Sequence, residues 1–136
     1  MSLQSSVNDV QVKPLRFEKA KVLLIEDDRT MRRMVRAEIG EHCELIEAEN
    51  ACHGVSLFKL HRPDLSFIDI SLPDGSGHNL LQWMLQVNPD AFGVMFSGYS
   101  DTNNVFESIN AGAKGFIAKP FDTGKMLFFI KQCTGV

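Results

Sequence analysis

"DLSFIDISLPDGSGHNLLQWMLQVNP", residues 64–89, decides the fold. "DLSFIDI" reads as a buried strand, an apolar run bounded by turn residues. The Pro-Asp-Gly of residues 73–75 breaks it with turn chemistry. "GHNLLQWMLQVNP" then changes to the period of a helix, with Leu80, Leu81, Met84 and Leu85 on the inward face and Pro89 following the last turn. One residue does not suit a buried strand. Asp69 stands at its carboxyl end, and an ionised carboxylate in an apolar setting costs several kcal/mol or more unless it is partnered.

The same strand-turn-helix unit recurs on both sides of this stretch. "KVLLIEDD" precedes "TMRRMVRAEIG", which carries Met31, Met34, Val35 and Ile39 at helical spacing, with Gly40 placed to stop the helix. "CELIEAE" precedes "NACHGVSLFKLHRP", in which Asn50 suits an N-cap, Ala51, Val55 and Phe58 share a face, and Pro63 ends the helix. Downstream, "FGVMFSG" leads to "TNNVFESINAG", and "KGFIAKP" to "TGKMLFFIKQC". Five βα units with continuous apolar strands predict a parallel five-stranded sheet with helices on both faces, in doubly wound order 2-1-3-4-5.

With 136 residues the chain fits one domain, expected over residues 20–136, with residues 1–19 as a flexible leader. Hydrophobic and charged fractions of 44% and 23% are those of an ordinary globular protein. A net charge of −3 gives no sign of a general nucleic-acid binder. No apolar stretch approaches a membrane span, and no signal peptide is visible, so the expected compartment is the cytoplasm, with no membrane partner. Cys43, Cys52 and Cys133 are odd in number and widely spaced, which opposes a disulfide framework and favours buried or half-buried thiols. His42, His53, His61 and His78 are scattered away from the strand ends and read as surface residues.

The polar exceptions gather at one edge. Strand 1 ends in Glu26-Asp27-Asp28, strand 3 in Asp69, strand 4 in Ser97 and strand 5 in Lys119-Pro120. These are carboxyl ends, the edge where open α/β sheets bind ligands, and strands 1 and 3 are neighbours in the expected order. Converging carboxylates repel, and a divalent cation relieves the repulsion; Mg²⁺ suits a few carboxylates together with waters and an incoming phosphate. Lys119 can pair with Asp69 and neutralise phosphoryl oxygens, and Ser97 can donate a hydrogen bond to one. A carboxylate so placed can attack a phosphoryl group and form an acyl phosphate, with catalysis mainly by positioning and charge neutralisation.

"VLLIEDD", "FIDISLPDGSG", "VMFSG" and "GAKGFIAKPF", in that order, resemble a response-regulator receiver domain, the phospho-accepting module of two-component signalling, over about residues 20–133. "TMRRMVR" is similar to the chemotaxis-type members. The resemblance implies a flavodoxin-like fold with Asp69 as phosphoryl acceptor and Mg²⁺ as cofactor. It implies Asp27 as the direct metal ligand, Glu26 acting through water, and the backbone carbonyl of Ser71 completing the shell. It also implies Ser97 as the switch hydroxyl, Lys119 as the phosphate-binding lysine with a cis bond to Pro120, and Phe116 at the aromatic switch position. Glu26 departs from the aspartate frequent in the family, and Phe116 lacks the hydroxyl of the frequent tyrosine. Tyr99 borders the site, where it would influence the approach of water to the acyl phosphate.

The partners implied are a histidine kinase or phosphotransfer protein, and a downstream output protein or fused effector domain. A homodimer is a further possibility: Phe128 and Phe129 lie beside the expected inward stripe of Met126, Leu127, Ile130 and Cys133. The expected function is a signalling domain and not an enzyme. The alternatives are a phosphatase with an aspartyl-phosphate intermediate, a flavodoxin-type cofactor binder, and a degenerate receiver that only binds partners. Ser71 stands where such a phosphatase commonly has an acid, and the acids after strand 1 oppose a phosphate cradle. Both a complete single-domain regulator and a fragment of a larger protein fit the sequence.

Overall fold

A computed structural model describes residues 20–98, 102–120 and 122–134 of the chain. The strands are β1 (Lys21–Ile25), β2 (Glu44–Ala48), β3 (Leu65–Asp69), β4 (Gly93–Ser97) and β5 (Gly115–Ala118). The helices are α1 (Arg29–Ile39), α2 (Ala51–His61), α3 (Gly77–Val87), α4 (Thr102–Asn110) and α5 (Thr123–Thr134). Each strand is followed by one helix, and the sheet is parallel throughout, in order β2-β1-β3-β4-β5. This is the doubly wound arrangement expected from the sequence.

Alternate residues of a strand point to opposite faces, and both faces here are covered. Val22 and Leu24 of β1, with Phe67, Val94 and Phe96, meet α1 and α5 through Val35, Ile39, Met126 and Ile130. Leu23 and Ile25, with Ile68 and Met95, meet α2 and α3 through Phe58, Leu80, Leu81 and Met84. A strand buried on both sides can carry no alternating polar row, which explains the continuous apolar runs of β1 and β3. Each fully buried Leu, Ile or Phe contributes about 1.5–3 kcal/mol.

Local chemistry sets the helix ends. Asp28 caps α1 and accepts hydrogen bonds from the N–H groups of Thr30 and Met31. Asn50 caps α2, accepting from His53 at 2.7 Å, and Ser76 caps α3. Gly112, just past α4, has φ +100°, which glycine adopts without strain. Gly40 differs from expectation: its backbone is right-handed, so α1 ends there without the left-handed turn that favours glycine. Arg62 takes the left-handed position instead, at φ 49°, after α2.

Four side chains, Met34, Cys52, Phe128 and Phe129, differ from their expected placement or resolve an open one. Met34 is 44% exposed, outside the inward face shared by Val35 and Ile39. Cys43 is buried and Cys133 half-buried, both thiols pushed up to about 11 by burial, whereas Cys52 is exposed. Phe129 packs over Gly115, where a Cβ would lie 2.2 Å from its ring, while Phe128 stays exposed. Between β3 and α3, Ser71–Leu72 and Gly75–Ser76 form an antiparallel ribbon that the turn residues alone did not suggest. Among the described residues, no helix is long and apolar enough to cross a membrane.

Candidate functional site

The loop after β1, the end of β3 and the end of β5 meet at the carboxyl edge of the sheet. The loop begins at Glu26, whose N–H continues the β1–β2 pairing by donating to the Ala48 carbonyl at 3.0 Å. Arg32, one turn into α1, donates to the Glu26 carbonyl at 2.7 Å and fixes the loop from the helix side. Glu26 is only 1% exposed; Asp69 is also buried, and Asp27 faces solvent. One carboxylate oxygen from each of the three lies within 4.8 Å of the others. The sequence placed these acids together, and the structure brings them together.

Asp69 has a different partner for each oxygen. Oδ1 accepts from the Ser71 N–H at 3.1 Å, and Oδ2 accepts from the Lys119 ammonium at 3.0 Å. Its backbone is held as closely: the ideal Cβ of a residue at 77 would fall 2.0 Å from the Asp69 carbonyl oxygen. Only glycine fits there, and the Gly77 N–H donates to Ile70 O at 2.7 Å. Gly77 thus lets α3 begin directly against the end of β3.

Lys119 also forms an ion pair with Glu26 Oε1 at 2.5 Å, a partner the sequence did not suggest. The longer glutamate side chain gives it that reach. Glu26 Oε2 accepts from the Asp28 N–H at 3.0 Å. Oε1 faces the ammonium without a well-directed hydrogen bond. Burial pushes the Glu26 carboxyl up to about 7; Lys119 and the Asp28 N–H oppose this, and the Asp69 charge adds to it. For Lys119, burial works against the charge, but Glu26 and Asp69 outweigh it and hold the ammonium above its usual range. The ammonium also lies 5.0 Å from the centre of the Phe96 ring. The Lys119–Pro120 peptide bond is cis.

Ser97 is buried at the end of β4, one residue past Phe96, the β4 partner of Asp69. Its carbonyl accepts from the Lys119 N–H at 2.8 Å, so β4 and β5 end together. Phe116 pairs with Met95 in the sheet and is half-buried against the α2/α3 side of the core. It walls a groove of about 250 Å³ between α4 and β5, together with Val105, Ser108 and Ile109. Tyr99 lies outside the described residues.

Three carboxylates, two of them buried, suit a small divalent cation with oxygen preference; among the described residues no thiol or imidazole joins them in the cluster. Besides the Lys119–Glu26 pair, two further features escaped sequence reasoning. Asp74 of the ribbon turn accepts from the Ala51 and Cys52 N–H groups at 2.7 and 2.9 Å, tying the loop after Asp69 to the start of α2. Those bonds lower its pKa. An aspartate before glycine in a turn is a visible signal, but its partner is far along the chain. His78 is half-buried and bonded to α4, contrary to the surface reading.

Known proteins share this fold. Residues 22–131 match the family model described as "Response regulator receiver domain". The chemotaxis protein CheY of Bacillus subtilis is 34% identical over 82% of this chain and 95% of its own length. Protein CcdB of the same organism is 36% identical over 85% of this chain and 98% of its own. The crystal structure of a CheY-like response regulator receiver domain protein from Methanospirillum hungatei superposes with a TM-score of 0.77 at 29% identity. That match covers 83% of this chain and 91% of the other. With the family model spanning both acidic strand ends and the lysine, the chain belongs to the response-regulator receiver domain family.

Proposed function

We propose that this domain accepts a phosphoryl group on Asp69 from a histidine kinase or phosphotransfer protein and answers by changing the surface formed by α4, β5 and α5. The observation that carries this reading is the set of fixed neighbours of Asp69: Ser71 N–H on one oxygen, Lys119 on the other, and Glu26 and Asp27 alongside.

In the transfer, an Asp69 oxygen attacks phosphorus as the bond to the donor breaks, P–N for a phosphohistidine or P–O for a small acyl phosphate. The departing imidazole takes a proton from solvent. Lys119 balances charge on the phosphoryl oxygens, and the Ser97 hydroxyl donates to one of them. Asp27, Asp69 and the Ser71 carbonyl would hold Mg²⁺, which supplies further charge neutralisation when bound. Glu26 would act through water, since its Oε2 is held by the Asp28 N–H and its Oε1 is ion-paired with the Lys119 ammonium. The chain is thus a stoichiometric acceptor that supports its own phosphorylation and later hydrolysis; Ser71, two residues after Asp69, offers no acid for turnover of separate substrates.

Phosphorylation adds charge beside Asp69. Ser97 then moves toward the phosphoryl group, Phe116 turns inward, and the α4/β5 groove changes shape, as a shift between two packings. Phe106 and Ile109 on α4 and Phe128 on α5 are exposed and give this surface apolar contacts for an output partner or a second copy. The site residues, the domain limits of 20–136 and a cytoplasmic setting all belong to this reading. Intact mass after Mg²⁺ with acetyl phosphate or phosphoramidate tests it. One labile phosphate on the wild type and none on Asp69→Asn is expected; equal labelling of both would reject Asp69 as the acceptor.

A further inference from the structure

Arg32 closes the first turn of α1, its N–H donating to the Asp28 carbonyl at 3.0 Å, where the helix dipole favours acids over cations. Its side chain is nonetheless only 17% exposed, and a covered guanidinium needs acceptors. It has two. Nη1 donates to the Glu26 carbonyl at 2.7 Å, and Nε lies 3.6 Å from Glu47 Oε1. Glu47 belongs to β2, and Arg36 takes its other oxygen, so the carboxylate is itself held. Both backbone groups of Glu26 are thus tied to β2: the N–H to Ala48, and the carbonyl through Arg32 to Glu47. A carbonyl shares its plane with the nitrogen and Cα of the next residue. Fixing the Glu26 oxygen therefore fixes the direction in which Asp27 leaves the strand. The Asp27 carboxylate is exposed and has no hydrogen bond or ion pair among the described residues. Its place beside Glu26 and Asp69 comes from the backbone.

We propose that Arg32, oriented by Glu47, is a positioning residue for the divalent cation: it sets the Glu26–Asp27 peptide so that the Asp27 carboxylate stands beside Asp69. It acts through the backbone and ligates nothing itself. The Glu47 charge offsets the guanidinium, so Arg32 directs the loop without leaving a full positive charge beside the carboxylates. Lysine is no substitute. An ammonium is a point charge, whereas the planar fork meets a carbonyl through one nitrogen and a carboxylate through another. "TMRRMVR" therefore holds two kinds of arginine in succession. Arg32 folds back over the acidic loop, and Arg33 is exposed with no partner among the described residues. This inference rests on the reading that Asp27 and Asp69 hold Mg²⁺.

Calorimetric Mg²⁺ titration of the full chain tests it, without phosphodonor and at about pH 8.5, above the range in which Glu26 titrates. Arg32→Met should raise the Mg²⁺ Kd about tenfold, and Arg32→Lys, which keeps the charge, at least about threefold. Arg33→Met removes a cation one residue away without touching the loop, and should leave the Kd unchanged or lower it slightly. If charge alone mattered, Arg32→Met would bind more tightly and Arg32→Lys would match the wild type; that pattern would overturn the proposal. A second readout needs no metal. Without Mg²⁺, the Glu26 carbonyl ¹³C resonance should move in both Arg32 variants and stay in place in Arg33→Met; an unmoved resonance in the Arg32 variants would also overturn it. Both readouts are taken on the folded chain, so a mere loss of stability moves neither. Should Arg32→Met not fold, Arg32→Lys carries both measurements. A wild type that takes up no Mg²⁺ would overturn the cation reading and this inference together. Wild-type binding that both Arg32 variants retain would overturn this inference alone.

Discussion

α3 and α4 are neighbours along the chain, each follows a strand that ends in a site residue, and they are seated by opposite means. α3 buries Gly77, Leu80, Leu81 and Met84, and its first residue lies against the Asp69 carbonyl. α4 exposes Phe106 and Ile109 and buries Ser108 through a hydrogen bond. The strands beneath differ in the same way: β3 is buried along its whole length, whereas in β5 only Ile117 is. Regions with little buried apolar surface open at lower free energy. The side holding the carboxylates is therefore a frame, and the side facing α4 has less buried apolar surface to hold it, the division that the proposed phosphorylation switch would use.

The largest effect should come from weakening the frame. Leu81 is fully buried, and its methyl group lies over Gly93 of β4, where a Cβ would be 2.4 Å from it. Leu81→Ala removes that contact and leaves a cavity, at a cost of about 2–5 kcal/mol measured by urea unfolding. A loss below about 1 kcal/mol would mean that α3 is seated no more firmly than α4, and the contrast would fail.

The carboxylate cluster itself sharpens the contrast, because the frame holds a group it would rather not. The folded pKa of Glu26, about 7, lies above the ordinary 4.5. The folded state thus keeps a proton that the unfolded chain loses first. The stability this contributes is complete below 4.5 and is lost as pH rises through about 7. Glu26→Gln has no charge to desolvate, so without Mg²⁺ it should exceed the wild type above neutrality by on the order of 1–3 kcal/mol, and below pH 4.5 the gap should close. Chemical denaturation across this range checks it; parallel wild-type and variant curves would show that Lys119 already compensates the carboxylate in full. Wild-type Mg²⁺ affinity should rise with pH over the same window, since the carboxyl must lose its proton to favour the cation.

How much of this was legible in the sequence follows the same division. The frame was, because β1 and β3 are buried on both faces, and a continuous apolar run that closes on an acid marks a strand delivering a carboxylate to the sheet edge. Their order put Asp27 and Asp69 on one edge, and Lys119 and Ser97 stand at the ends of the strands that complete it. Contacts depending on side-chain reach were not legible. Glu26 takes half of Lys119, Asp74 reaches across to the start of α2, and His78 finds Ser108 thirty residues away. Periodicity assigns a face to a residue and says nothing of which polar group will meet it there. Met34 shows the limit on the apolar side: four residues shared a helical spacing, but a surface stripe has edges, and Met34 fell outside.

The smallest effect on stability should come from α4, and that smallness is informative. Phe106 is 61% exposed, so Phe106→Ser surrenders little burial, and the change in unfolding free energy should stay within about 0.5 kcal/mol. With Ile109 also exposed on the same helix, Phe106 gives α4 apolar surface that a partner would cover. Sedimentation of wild type and variant, each with and without a phosphate analogue, separates two uses of the side chain. If a second copy covers it, the variant should lose the analogue-dependent increase in mass. If an output protein covers it, both should remain monomeric. A destabilisation above about 2 kcal/mol would instead make Phe106 part of the core, and α4 would belong to the frame after all.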